Sequence, residues 1–256
     1  MHQYHFDYDR GESCRVDSGR GGTLQDGTRS TICDRAKPKK GKGTSMMFDS
    51  IDYAFLHSVV FRPDYPGYTP KVIEAPNRDG VKDTKKRYSH IAVKYLAKFG
   101  DVALFQALMG YLEEAHAHAC QTFEHLGLPQ EFRPSLDYSC LRVLEYPPGT
   151  GGVPHCDFDL FSEILYRDQP DKFHYVGETP PEAYQRISEH LHFGSMLPLT
   201  GHAGLLVPSE HYVEPSDTWQ HSIVFFAVPD WKTKLTTGET VGDWIQRETA
   251  KARYEA

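Results

Sequence analysis

The sequence predicts a mainly β domain flanked by helices, and three observations carry that expectation. One long apolar stripe with helical spacing runs to a stop at Gly127 and Pro129. Beyond Pro134 the chain turns to short β-branched and aromatic runs separated by Gly- and Pro-rich breakers. An amphipathic stretch from Thr240 to Ala256 closes it as a final helix.

Taken in order, the segment from Gly11 to Gly43 is rich in Gly, Ser, Thr, Arg and Lys and ends in Lys37-Pro-Lys-Lys-Gly-Lys-Gly43. Residues 1–50 are therefore expected as an irregular, solvated arm ahead of a single domain over 51–256. Ile51 to Phe61 is apolar and β-branched and is expected as a strand, and the proline-rich segment from Phe61 to Asn77 as an extended connection. Lys86 to Phe99 is expected to be helical. The strongest helix follows Asp101, an N-cap residue, with Val102, Phe105, Leu108, Leu112, Ala115, Ala119, Phe123 and Leu126 at three- and four-residue steps. His116, His118 and His125 lie within it, but His116 and His118 are two apart and do not share a helical face, so a solvated polar face is expected there.

Tyr138 to Tyr146 is a strand-like run, followed by the turn Pro147-Pro-Gly-Thr-Gly-Gly152. Further strands are expected at Leu160 to Tyr166, His202 to Val207, His211 to Val213 and Trp219 to Val228, with a helical insertion from Pro180 to about Leu191.

With 256 residues and 39% hydrophobic content, the chain can bury one substantial core. A formal charge of -7 and a pI near 6.0 argue against a nucleic-acid binder and leave small-molecule chemistry as the expectation. Five cysteines without a CxxC pair fit a reducing setting rather than a disulfide framework. The first residues carry no apolar h-region and no run of about 18 apolar residues occurs, so the expected setting is cytoplasmic, with no membrane partner.

The chemistry lies in Leu141-Arg-Val-Leu-Glu-Tyr-Pro-Pro-Gly-Thr-Gly-Gly-Val-Pro-His155-Cys-Asp157. In an extended strand, residues two apart face one side, so His155 and Asp157 can offer an imidazole nitrogen and a carboxylate oxygen to one ion. A third ligand must come from another strand. His174, His190, His192, His202, His211 and His221 are candidates, and His211 is favoured because it opens His211-Tyr-Val-Glu ahead of the apolar run Ser222-Ile-Val-Phe-Phe-Ala-Val-Pro229. Two histidines and one carboxylate cover one face of an octahedral ion and leave the other positions open, the arrangement of non-haem Fe(II) oxygenases.

Here the sequence resembles the 2-oxoglutarate- and iron-dependent oxygenases, in particular the branch that includes isopenicillin N synthase and the plant flavonoid oxygenases. The resemblance spans roughly Asp101 to Ala256. It rests on an ordered series: His125-Leu-Gly-Leu-Pro129, Tyr146-Pro147, His155-Cys-Asp157, His192-Phe-Gly-Ser-Met196, Thr200-Gly201, His211-Tyr-Val213 and Ser222-Ile-Val-Phe-Phe226. It implies a double-stranded β-helix, a cupin-like jelly roll of two packed antiparallel sheets with N-terminal helices buttressing one side. It also implies Fe(II) held by His155, Asp157 and His211 in the barrel mouth, with 2-oxoglutarate, O2 and a small-molecule substrate such as an amino acid or natural-product intermediate.

Family members place an arginine downstream of the distal histidine and a serine two residues further on, and the pair clamps the far carboxylate of 2-oxoglutarate. This chain reads Gln220-His-Ser222. Gln220 and Ser222 still share a strand face, but a glutamine offers only neutral donors, about half as strong as those of a guanidinium fork. Arg142, Arg87 and Lys232 are the cations available to replace it. Tyr146 occupies a family position where a tyrosine can contact the cosubstrate or the substrate carboxylate, and Asp159 lies on the face of His155 and Asp157. Three readings stand: a 2-oxoglutarate-dependent oxygenase with a relocated cation, an Fe(II) oxidase that needs no 2-oxoglutarate, and a non-catalytic cupin-like metal-binding protein.

Overall fold

The computed structural model describes residues 52–69, 87–177, 191–202 and 206–254, with side chains to 251. Its elements are α1 (Tyr53–Val60), β1 (Tyr68–Thr69), β2 (Arg87–Ile91), α2 (Val93–Leu96), α3 (Val102–Leu126), β3 (Cys140–Tyr146), β4 (Gly152–His155) and β5 (Phe161–Arg167). There follow β6 (Phe173–Tyr175), β7 (Leu191–Phe193), β8 (His211–Val213), β9 (Gln220–Ala227) and α4 (Val241–Tyr254). The N-terminal arm, with its lysine run, and the insertion from Pro180 to His190 lie outside the described residues.

Helix α3 forms as the periodicity requires. The Asp101 carboxylate accepts from the Ala103 and Leu104 backbone N–H groups, and Gly127 ends the helix in the left-handed region at φ 64°. Leu108, Leu112, Ala115, Ala119, Phe123 and Leu126 bury one stripe, each large side chain contributing roughly 1.5–3 kcal/mol. Val102, the first residue of the stripe, is exposed.

The strands form two antiparallel sheets, one in the order β1-β2-β3-β9-β5-β7 and one in the order β4-β8-β6. Alternation along β3 and β9 divides the large sheet into two faces. Leu141, Val143, Ile223, Phe225 and Ala227 pack with α3 in the main core. Leu144, Tyr146 and Val224 face the small sheet, where they meet Val213 and Phe173. This second cluster marks the interior between the sheets, the jelly-roll arrangement expected above.

Strand β5 departs from regular alternation. Ile164 pairs with Val224, but the next partners are Tyr166 with Ile223 and Arg167 with Ser222, so Leu165 is an extra residue in a β-bulge. Arg167 thereby faces the interior with Ser222, while Tyr166 turns outward and stacks on Tyr53 of α1 at 5.1 Å.

Four expectations need correction. The apolar segment after Ile51 is the helix α1, because Asp52 caps it by accepting from Phe55 N–H and because Leu56, Val59 and Val60 bury one helical face. Capping and packing override the β preference of its valines. Lys86 to Phe99 is not one helix: among its described residues Arg87–Ile91 form β2, which pairs with β3 along its whole length, and only the single turn α2 is helical. Of the strand expected at His202 to Val207, residues 203–205 lie outside the described residues, and His202, Leu206 and Val207 are not in a strand. Two of the three α3 histidines are packed into the fold rather than solvated, His116 on the Pro134 carbonyl and His118 on the buried Glu163 carboxylate. No helix among the described residues is long and apolar enough to cross a membrane.

Candidate metal centre

Antiparallel pairing of β4 with β8 sets His155 directly opposite His211, so both rings project from one face with centroids 4.5 Å apart. Asp157 follows two residues after His155, in the connection to β5. The ligand atoms of His155, Asp157 and His211 lie within 4.8 Å of one another.

The tautomer of each histidine is dictated by the backbone. His155 Nδ1 lies 2.7 Å from the Val153 carbonyl oxygen and His211 Nδ1 lies 2.9 Å from that of Ser209. A carbonyl only accepts, so in the neutral ring each Nδ1 carries the proton and each Nε2 presents a lone pair. Both lone pairs face Asp157, with His155 Nε2 3.7 Å from Oδ1 and His211 Nε2 3.8 Å from Oδ2. Metal bonds of about 2.1 Å place the ligand atoms of a facial set roughly 3.0 Å apart, so a small inward adjustment of these side chains would let the three groups share one ion.

Asp157 is held from several sides. Ser162 Oγ on β5 donates to its Oδ2, and its backbone carbonyl accepts from both the N–H and the hydroxyl of Ser195. Burial alone would raise the Asp157 carboxyl, but in the metal-free site the charge of the His211 and His155 rings in their protonated form, the Ser162 hydrogen bond and His192 outweigh it and hold its pKa at about 2. The carboxylate is thus ready to bind a cation without first losing a proton.

Around His211 the wall is aromatic. Phe173 lies 5.3 Å from it and His192 4.7 Å, ring to ring. The His211 side chain is 8% exposed and that of His155 38%, so the group of three opens to solvent on the His155 side. Asp159 is buried, and its carboxyl is pushed well above the ordinary range by that burial and by the Asp157 charge. It packs against Gly194, where an added Cβ would stand 2.1 Å from both Asp159 Oδ1 and the Asp159 carbonyl oxygen.

The other candidate ligands are placed differently. His174 pairs with Glu214 on the surface, and His221 bonds to Asp168 at 2.6 Å. His202 belongs to the turn after Thr200, and His190 lies outside the described residues. His192 borders the group without joining it.

Tyr146, Gln220 and Ser222 are buried together on the interior face, Tyr146 directly opposite Gln220 in the β3–β9 ladder. Gln220 does not offer its amide N–H groups to the cavity: Nε2 donates to the Glu214 carbonyl oxygen at 2.8 Å, and Oε1 faces Arg167 Nη2 at 3.5 Å. Of the three cations named from sequence, Arg87 pairs with Glu145 and lies over the Trp219 ring, and Lys232 is an exposed turn residue. Arg142 does face the interior, between the rings of Tyr88 and Phe226 with Nε on His90. Plain alternation along β5 would turn Arg167 outward, whereas the bulge at Leu165 turns it to the interior.

No protein-family model matches this chain, and no curated protein sequence matches it. Solved structures do. A candidate oxygenase from Shewanella oneidensis superposes with a TM-score of 0.51 at 16% identity, covering 79% of this chain and 87% of its own. A full-length protein from Neurospora crassa, solved in complex with α-ketoglutarate, superposes with a TM-score of 0.50 at 16% identity, covering 73% of this chain and 76% of its own. These likenesses establish the double-stranded β-helix fold.

Proposed function

We propose that the protein is a non-haem Fe(II)-dependent oxygenase that couples oxidative decarboxylation of 2-oxoglutarate to C–H oxidation of a small molecule. The observation that carries this reading is the backbone-fixed tautomer of both histidines, which aims two Nε2 lone pairs at the Asp157 carboxylate. Two neutral nitrogens and one carboxylate form the donor set that suits Fe(II) with coordination positions left open. Bound Fe(II) would supply the redox chemistry that activates O2. The chain's own residues do the rest: Val153 and Ser209 hold the imidazole protons, Ser162 orients Asp157, and Phe173 and His192 shield the His211 side from water. The interior between the sheets suits a small substrate, and the ordered motifs from His125 to Phe226 support the isopenicillin N synthase-like branch.

A second reading, an Fe(II) oxidase that draws its electrons from the substrate alone, is favoured by one observation: Gln220 stands at the arginine position, with its amide N–H groups bonded to backbone carbonyls. The test is anaerobic titration of Fe(II) or Mn(II) into the wild type and His211→Ala, followed by measurement of succinate with 2-oxoglutarate and O2. We expect one ion per chain in the wild type, weak binding in the variant, and succinate formation that depends on Fe(II). Unchanged ion binding in His211→Ala would overturn the metal assignment. Oxygen uptake with substrate but without succinate would favour the oxidase.

A further inference from the structure

We infer that Arg167 is the cation that holds the distal carboxylate of 2-oxoglutarate, with Ser222 beside it and Gln220 aiming its guanidinium; the inference rests on the function proposed above. Arg167 lies opposite Ser222 in the β5–β9 ladder, so the two side chains project together from the interior face. The Ser222 hydroxyl makes no hydrogen bond to a described residue and remains available as a donor.

Three contacts fix the guanidinium. Its Nε donates to the Gln169 carbonyl oxygen at 2.9 Å, Nη2 stands 3.5 Å from Gln220 Oε1, and its centre lies 5.3 Å from the Phe173 ring centroid. None of these partners is an anion, and no carboxylate of a described residue forms an ion pair with it. A guanidinium stays charged at any physiological pH, and a half-buried charge without a counter-ion is costly. Burial lowers the Arg167 pKa, against the opposing pull of Tyr146, Asp168 and Asp171. An incoming carboxylate would meet this need with charge-assisted, forked hydrogen bonds.

Position selects the ligand. Phe173 neighbours both the Arg167 guanidinium, 5.3 Å from its ring centroid, and the His211 ring, 5.3 Å between centroids, so the guanidinium and a candidate metal ligand share one aromatic neighbour. A five-carbon 2-oxo diacid can reach from an ion at His211 to a cation beside the same ring. Gln220 thus keeps the place of the family arginine but serves as an acceptor, while the positive charge arrives from the neighbouring strand. Arg142 is the competing cation, but it lies opposite Val224, two residues further along β9, and is sandwiched between Tyr88 and Phe226.

The test is calorimetric binding of 2-oxoglutarate and of 2-oxobutanoate, which lacks the distal carboxylate, to the full chain loaded anaerobically with Mn(II). In the wild type 2-oxoglutarate should bind far more tightly than 2-oxobutanoate. Arg167→Gln should lose about 100-fold in 2-oxoglutarate affinity, the loss expected for charge-assisted bonds, while its affinity for 2-oxobutanoate and for Mn(II) stays unchanged. The double variant Arg167→Gln/Gln220→Arg should recover much of the loss, which a merely structural arginine would not allow. Should Arg167→Gln not fold, Arg167→Lys keeps the test open, with reduced discrimination between the two acids expected. Undiminished 2-oxoglutarate binding in these variants, or loss in Arg142→Gln instead, would overturn the assignment and leave the proposed function standing. A Mn(II)-loaded wild type that binds no 2-oxoglutarate overturns the cosubstrate reading itself, and this inference with it.

Discussion

Replacing Ser162 by alanine should weaken Mn(II) or Fe(II) binding by about 10- to 100-fold, the range typical of groups that orient metal ligands. Ser162 is fully buried on β5, and its hydroxyl donates to Asp157 Oδ2, the atom that faces His211 Nε2 at 3.8 Å. A hydrogen bond to an ionised acceptor contributes roughly 1.5–3 kcal/mol, and about 1.4 kcal/mol corresponds to a factor of ten, which gives the same range. Alanine removes one oxygen and no carbon, and the Asp157 backbone stays pinned by Ser195, so the fold should survive with a loss of about 1.5–3 kcal/mol in the metal-free protein. Competition with a chelator gives the ion affinity, and urea unfolding of the metal-free protein gives the control. The reasoning would be refuted by an affinity within about two-fold of the wild type, or by metal-free destabilisation well beyond about 3 kcal/mol, which would mark a general loss of structure.

Gly194→Ala forces a Cβ to within 2.1 Å of the Asp159 backbone carbonyl and should cost about 2–3 kcal/mol in urea unfolding, with Mn(II) affinity falling as the neighbouring Ser195 is displaced from Asp157. In His118→Ala the buried Glu163 carboxylate keeps only its bond from Thr122. A loss of about 3 kcal/mol is expected, at the low end for a broken buried pair because the His118 side chain is 20% exposed and water can enter in its place. Asp101→Ala removes the acceptor for two N–H groups at the start of α3 and should cost about 1 kcal/mol, read as a small drop in melting temperature with metal binding unchanged.

What could be read from the sequence follows from how local each signal is. The long helix α3 declares itself through seven turns of periodicity and two caps, and β9 through its β-branched and aromatic apolar run. His155 and Asp157 are two residues apart, so their convergence needs only an extended backbone, and His211 announces itself by opening a strand. The misread segments are those whose fate is set by partners distant in sequence. The valines of α1 favour a strand until Asp52 caps them, and β2 shows no convincing strand pattern until β3 pairs with it. Strands β6 and β7 have three residues each, too few for any period to appear. Gln220 and Ser222 share a face as strand alternation predicts, and the β3–β9 pairing sets Tyr146 opposite Gln220. Arg167 escapes it because one bulge residue shifts the count.

That bulge also bears on how this chain should be compared with others. Leu165 points its side chain into the main core and has no partner of its own in the β5–β9 ladder. A chain one residue shorter at this point would close into a regular strand with Tyr166 still opposite Ile223 and Arg167 still opposite Ser222. Length at this point can therefore drift by one residue without changing what the cavity presents to a ligand. Equivalent arginines in distant relatives should be sought by their partner on β9, not by their spacing from the His155-Cys-Asp157 motif.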